Sequence, residues 1–172
     1  MQLPNYANNG KPDARDWAQL REAQASAAHA PAVGVAVTID GDEPTNLHPT
    51  NKRPVGQRLA FIALQRIYGQ RDVVAAGPAL ESVVHDGAAV RVRFSDATGL
   101  KSTGPTVTGF ELAGADKVFH PATAHIEGRD VLVTAADVPA PVAVRYAFTN
   151  APAASLVNAA GLPAAPFRTD DW

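Results

Sequence analysis

Val33-Gly34-Val35-Ala36-Val37-Thr38-Ile39 is a continuous apolar run of strand length, rich in β-branched residues, and Asp40-Gly41-Asp42 closes it abruptly. A run without polar alternation reads as a strand covered on both faces, as in a parallel sheet. Upstream, residues 13–28 place Trp17, Leu20, Ala23 or Gln24, and Ala27 at helical spacing. Asp13 and Asp16 stand near the start, where carboxylates complement the helix dipole, so an amphipathic helix is expected. Downstream, residues 52–68 or 54–68 predict a second helix with an apolar stripe of Val55, Leu59, Ile62 or Ala63, and Ile67. Gly69 is its stop signal.

Helix, strand, loop, helix is the grammar of an α/β domain, in which functional residues collect in loops after the carboxyl ends of strands. His48 lies in such a loop. One strand and two helices cannot cover both faces of a parallel sheet. Residues 1–71 therefore read as the C-terminal part of a larger doubly wound parallel-sheet domain, completed by further polypeptide.

Beyond Arg71 the pattern changes to short alternating runs at 88–94, 107–112, 131–133 and 142–148. Turn signals separate them: Asp86-Gly87, Gly114-Ala115-Asp116, Glu127-Gly128-Arg129-Asp130 and Pro139-Ala140-Pro141. This spacing predicts a small antiparallel β-sandwich over residues 72–151. Residues 152–172, rich in Pro, Ala and Gly, read as an extended tail tied down by Phe167 and Trp172.

The bulk properties narrow the function classes. A net charge of −2 from 15 basic and 17 acidic residues, with no basic cluster, argues against nucleic-acid and membrane-surface partners. The absence of cysteine excludes a disulfide framework, a thiolate metal site and a cysteine nucleophile. Residues 1–6 lack the basic start and apolar core of a signal peptide, so export would require a signal upstream.

Of the five histidines, His120 and His125 make only a weak metal pattern across a Pro-containing turn. No metal is expected on that weak pattern, and no cofactor held by a phosphate-cradling loop, since neither a glycine fingerprint nor a phosphate-binding lysine loop occurs. Ser26, Ser82, Ser95, Ser102 and Ser155 all lack the glycine-framed turn that exposes a catalytic serine. His48 stands apart because Asp40, Asp42 and Glu43 share its loop. An imidazole titrating near neutrality beside a carboxylate can act as a general base.

Several stretches together resemble the C-terminal portion of sialate O-acetylesterases and related carbohydrate esterases of the SGNH hydrolase type. They are Gln2-Leu3-Pro4-Asn5-Tyr6, Trp17 with Leu20-Arg21-Glu22-Ala23-Gln24, and Ala36-Val37-Thr38-Ile39-Asp40. His48-Pro49-Thr50-Asn51-Lys52, Val55-Gly56-Gln57-Arg58-Leu59-Ala60 and the segment from Gly161-Leu162-Pro163 to Trp172 complete the series. The resemblance implies a serine-histidine acyl transfer that removes acetyl groups from sialic acid or plant-type glycans, in a periplasmic or extracellular parent enzyme. His48 matches the family's base. The serine and the oxyanion-hole residues belong to blocks preceding Gln2, so the chain alone is expected to be inactive.

The family places an aspartate three or two residues before this histidine, where the chain has Thr45 and Asn46. Asp42 is the carboxylate candidate for the third member, with Asp40 or a serine-histidine dyad as the other solutions. Arg21, Gln24, Lys52 and Arg58 read as bracing residues. The competing function is a non-catalytic glycan-binding or structural β-sandwich module.

Overall fold

The structure, a computed structural model, describes residues 1–41 and 43–172. Within it, residues 33–38 pass without helix or turn, Ile39 enters a turn, and none of them joins a sheet. The expected doubly wound parallel α/β arrangement is thus not the fold of residues 1–71. Among the described residues every sheet is antiparallel, and every strand falls between Ala79 and Arg168. The reason is that a β-branched apolar run specifies extended backbone and burial, whereas a strand also needs a partner for its N–H and C=O groups. Here three carbonyls are met one at a time: Ala36 O by the Gln2 N–H (2.9 Å), Val37 O by Arg58 (2.7 Å) and Val33 O by Arg66 (2.6 Å). Burial is nonetheless achieved, with Ala36, Thr38 and Ile39 all buried.

The chain divides into two compact units. The first comprises Met1–Gly77 with Thr149–Pro152. It holds helix α1 (Asp16–Ser26), prolonged by a 3₁₀ turn over Ala27–His29, and helix α2 (Arg53–Arg66). The stripe expected on α1 is displaced: Leu20 is exposed, and Ala18 and Arg21 are buried instead. Arg21 is buried because its guanidinium donates to Pro4 O (3.1 Å), Thr149 O and Asn150 O (3.3 Å). Burial pulls its pKa down to about 10, so it remains a cation at neutral pH. The charge serves packing, as the bracing reading of Arg21 anticipates.

Pro54 stands in the first turn of α2, where a missing N–H costs nothing. On this helix Val55 and Ile62 are half-buried, while Leu59 and Ile67 are exposed. At Gly34 the main chain of residues 33–39 lies close against Ile62 of the helix. A Cβ added there would lie 2.3 Å from Ile62 Cγ2, so only glycine lets the extended segment meet this side chain. Among the described residues no helix is long and apolar enough to cross a membrane.

The second unit comprises Pro78–Phe148 and Ala153–Trp172. One four-stranded sheet has the order β1 (Ala79–Asp86), β2 (Ala89–Ser95), β7 (Asp130–Thr134), β6 (Thr123–Glu127). The other has the order β10 (Phe167–Arg168), β8 (Ala143–Tyr146), β4 (Phe110–Ala113), β5 (Phe119–Pro121). A short ribbon joins β3 (Lys101–Ser102) to β9 (Leu156–Val157). Gly87 and Gly128 each open a two-residue hairpin with positive φ, +58° and +67°, which L-residues rarely adopt.

The inner faces meet through Val90, Val92, Phe94, Val131 and Val133 on one side and Leu112, Val144 and Tyr146 on the other, all buried. Phe167 bridges the layers, 6.0 Å from Phe94 and 6.1 Å from Tyr146 between ring centroids. The tail is held on the opposite face of its sheet. Asp170 receives a bidentate pair from Arg145 at 2.8 and 2.5 Å, and the Arg145 guanidinium stacks 3.7 Å from the Phe119 ring centre.

Candidate functional site

Arg58 anchors the end of the extended segment. Its Nη1 donates to Val37 O and to Asp40 Oδ1, both at 2.7 Å, while Nη2 donates to Asp40 Oδ2 at 2.5 Å. This fork fits a carboxylate and ties the segment to α2 before the loop begins. Asp40 is thereby committed to Arg58. Asp42 lies outside the described residues.

Glu43 organises the loop that follows. Oε1 accepts the Thr50 N–H at 2.8 Å and the Thr50 hydroxyl at 2.6 Å; Oε2 accepts Asn46 Nδ2 at 2.8 Å. These bonds, led by those from the side chains of Thr50 and Asn46, hold the carboxyl down at a pKa of about 2. Sequence reasoning placed Glu43 only among the loop's polar residues. The available signal was an acid followed at short range by Asn and Thr, residues that readily bond nearby groups in turns.

His48 sits between those anchor points with an exposed side chain. Its backbone N–H donates to Asn46 Oδ1 at 3.0 Å. Among the described residues no carboxylate hydrogen-bonds its ring, and no serine hydroxyl bonds an imidazole. The positions at which an aspartate is expected before the histidine hold Thr45 and Asn46, and the Asn46 side chain bonds Glu43 and the His48 N–H rather than the imidazole.

Pro49, next to His48, lines a cavity of about 190 Å³ together with Thr38, Asp40, Asn51, Val55 and Arg58. That is below the ~300–1,000 Å³ of common ligand pockets and suits one small group. Its one arginine is already neutralised by Asp40. Among the described residues no three His, Cys, Asp or Glu side chains converge as a metal site would require. His120 has instead a carboxylate neighbour, Asp137, at 3.9 Å, and His29 Nδ1 lies 2.9 Å from Ser26 O.

No family profile and no curated protein matches the chain. Among solved structures, the chain is similar to part of a carbohydrate acetylesterase. The match is to the crystal structure of a carbohydrate acetylesterase from Xanthomonas citri, with 44% sequence identity and a TM-score of 0.93. It covers 99% of this chain and 40% of that one, so the chain spans well under half the length of the protein it resembles.

Proposed function

We propose that this chain is the histidine-bearing part of a carbohydrate O-acetylesterase, with its nucleophilic serine supplied by polypeptide outside these residues. The observation that carries the reading is the 44% identity, over 99% of the chain, to a carbohydrate acetylesterase. The exposed His48 on a clasped loop beside a small cavity supports it. The mechanism is of the serine-histidine SGNH type. The His48 imidazole takes the serine proton as the serine oxygen attacks the acetyl carbonyl, then passes it to the departing sugar oxygen. It next takes a proton from water, the hydroxide displaces the acetyl group as acetate, and the serine regains its proton. No metal or cofactor enters these steps.

Asp42 is proposed as the carboxylate that orients the ring, with a serine-histidine dyad as the alternative. The substrates are acetylated sugars, either sialic acid or plant-type glycans, and the parent enzyme acts in the periplasm or outside the cell. Acetate release from an aryl acetate tests this. The chain alone is expected to be inactive, and mixing it with the portion of the Xanthomonas enzyme that it does not cover is expected to restore turnover. His48→Ala then lowers that turnover by about 10²–10⁴-fold. Undiminished turnover in the His48→Ala mixture, or turnover by the chain alone, overturns the assignment.

A further inference from the structure

A carboxylate can only accept hydrogen bonds, whereas a carboxamide offers one oxygen and one donating nitrogen. This asymmetry gives the loop of residues 43–50 a direction. Because Glu43 Oε2 can only accept, Asn46 must present Nδ2 to it, at 2.8 Å. The Asn46 oxygen is then left facing the other way, where the His48 N–H donates to it at 3.0 Å. On the far side of His48, the same carboxylate takes both the N–H and the hydroxyl of Thr50. One acidic side chain therefore holds the Asn46 side chain two residues before the imidazole, and the main chain and hydroxyl of Thr50 two residues after it.

We infer that Glu43 is a positioning residue for His48, acting through the polarity of Asn46 and through Thr50. The inference rests on the reading of His48 as the base, and it deepens that reading. Both oxygens of Glu43 accept from these donors and neither bonds the imidazole, so it does not orient the ring directly and is not the third member of a triad. What it supplies is a fixed backbone from which the imidazole projects. A base displaced by about 1 Å forfeits on the order of 10² in rate, so such a frame is a catalytic requirement. The hydrogen bonds that hold Glu43 ionised keep the clasp closed throughout the pH range in which a histidine base works.

The test reverses the polarity. In Glu43→Gln, the new amide nitrogen faces the Asn46 Nδ2 donor. If Asn46 flips to relieve this, its Nδ2 then opposes the His48 N–H. Adding Asn46→Asp restores a consistent order: the amide introduced at position 43 donates to one oxygen of the carboxylate introduced at position 46, and the other oxygen accepts from the His48 N–H.

Amide hydrogen exchange followed by NMR on the 172-residue chain reads the clasp directly. Exchange at His48 is expected to accelerate at least about tenfold in Glu43→Gln, with α1 amides unchanged, and to recover in Glu43→Gln/Asn46→Asp; Thr50, which still faces an amide oxygen, keeps its protection. In the reconstituted mixture kcat follows the same order, with KM constant. Unmoved exchange in Glu43→Gln, or no recovery in the double variant, overturns the inference. The exchange readout does not depend on acetyl transfer. A His48→Ala mixture that stays active therefore condemns the functional reading separately, while unmoved exchange condemns the clasp whatever the activity.

Discussion

Asn150 Oδ1 accepts the Trp17 N–H at 2.8 Å, so the first turn of α1 is capped by a side chain 133 positions away. Arg15, at the N-cap position, supplies no side-chain cap. The Asn150 amide nitrogen donates to Asp16 Oδ1 at 2.8 Å and to Lys11 O at 3.2 Å, and the residue is fully buried. Its carbonyl receives Arg21 and the Tyr6 N–H. One asparagine thus fastens the segment Thr149–Pro152 into the first unit.

Asn150→Ala should therefore cost about 2–3 kcal/mol, combining a lost cap with buried groups left unpaired. Urea unfolding monitored by tryptophan fluorescence in a Trp172→Phe background, where Trp17 is the one remaining tryptophan, measures it. Asn150→Asp keeps the cap acceptor but sets a carboxylate against Asp16, so it should be destabilised at neutral pH and partly recover as the pair protonates in acid.

Gly34→Ala should lose about 1–3 kcal/mol, because the added methyl overlaps Ile62 Cγ2 at 2.3 Å. Removing that methyl by Ile62→Ala should make the same substitution nearly neutral. The coupling energy of the double-mutant cycle checks this.

Asp170→Asn should cost about 3–5 kcal/mol, since it strips the partner from a buried arginine whose side chain is 6% exposed. The pH dependence follows from the pair. Burial raises the Asp170 pKa, but the hydrogen bond and charge of Arg145 outweigh it, and the net shift is downward from the ordinary 3.8. A lowered folded pKa stabilises fully above the unfolded value and ceases to do so as pH falls through the folded one. Melts at about pH 6 and about pH 3 should show a larger acid loss in the wild type than in Asp170→Asn.

Tyr146→Phe should cost about 1–3 kcal/mol. The buried Tyr146 hydroxyl accepts the Leu156 N–H at 3.0 Å, and phenylalanine keeps the ring contacts while leaving that donor unpaired. Thermal melts of the two proteins measure the difference.

Much of the local structure was legible in the residues. The spacing over 13–28 and 52–68 marked two helices, found as Asp16–Ser26 and Arg53–Arg66. The alternation at 88–94, 131–133 and 142–148 marked strands of the second unit, and Asp86-Gly87 and Glu127-Gly128 marked their turns. The strands Ala79–Asp86 and Thr123–Glu127 were missed, because both flank their sheet and carry exposed polar positions that blur the period. At the site, the chemistry of the His48 imidazole singled it out, but the bonds from Asn46 and Thr50 that converge on Glu43 were not read from the residues, which marked it only as one acid of a polar loop.

By itself, then, the sequence determined where the two helices lie, several strands and turns of the second unit, and which loop carries the histidine, because periodicity, turn residues and imidazole chemistry are local properties. Only the tertiary structure decided what meets the backbone of residues 33–39, which face of α1 is buried, and which way the Asn46 amide points. Each depends on a partner brought from elsewhere: Arg58 and Arg66 for the extended segment, Asn150 and Thr149 for α1, Glu43 for Asn46. Hydrogen-bond satisfaction is settled by where donors and acceptors come to lie in space, and spacing along the chain does not encode that.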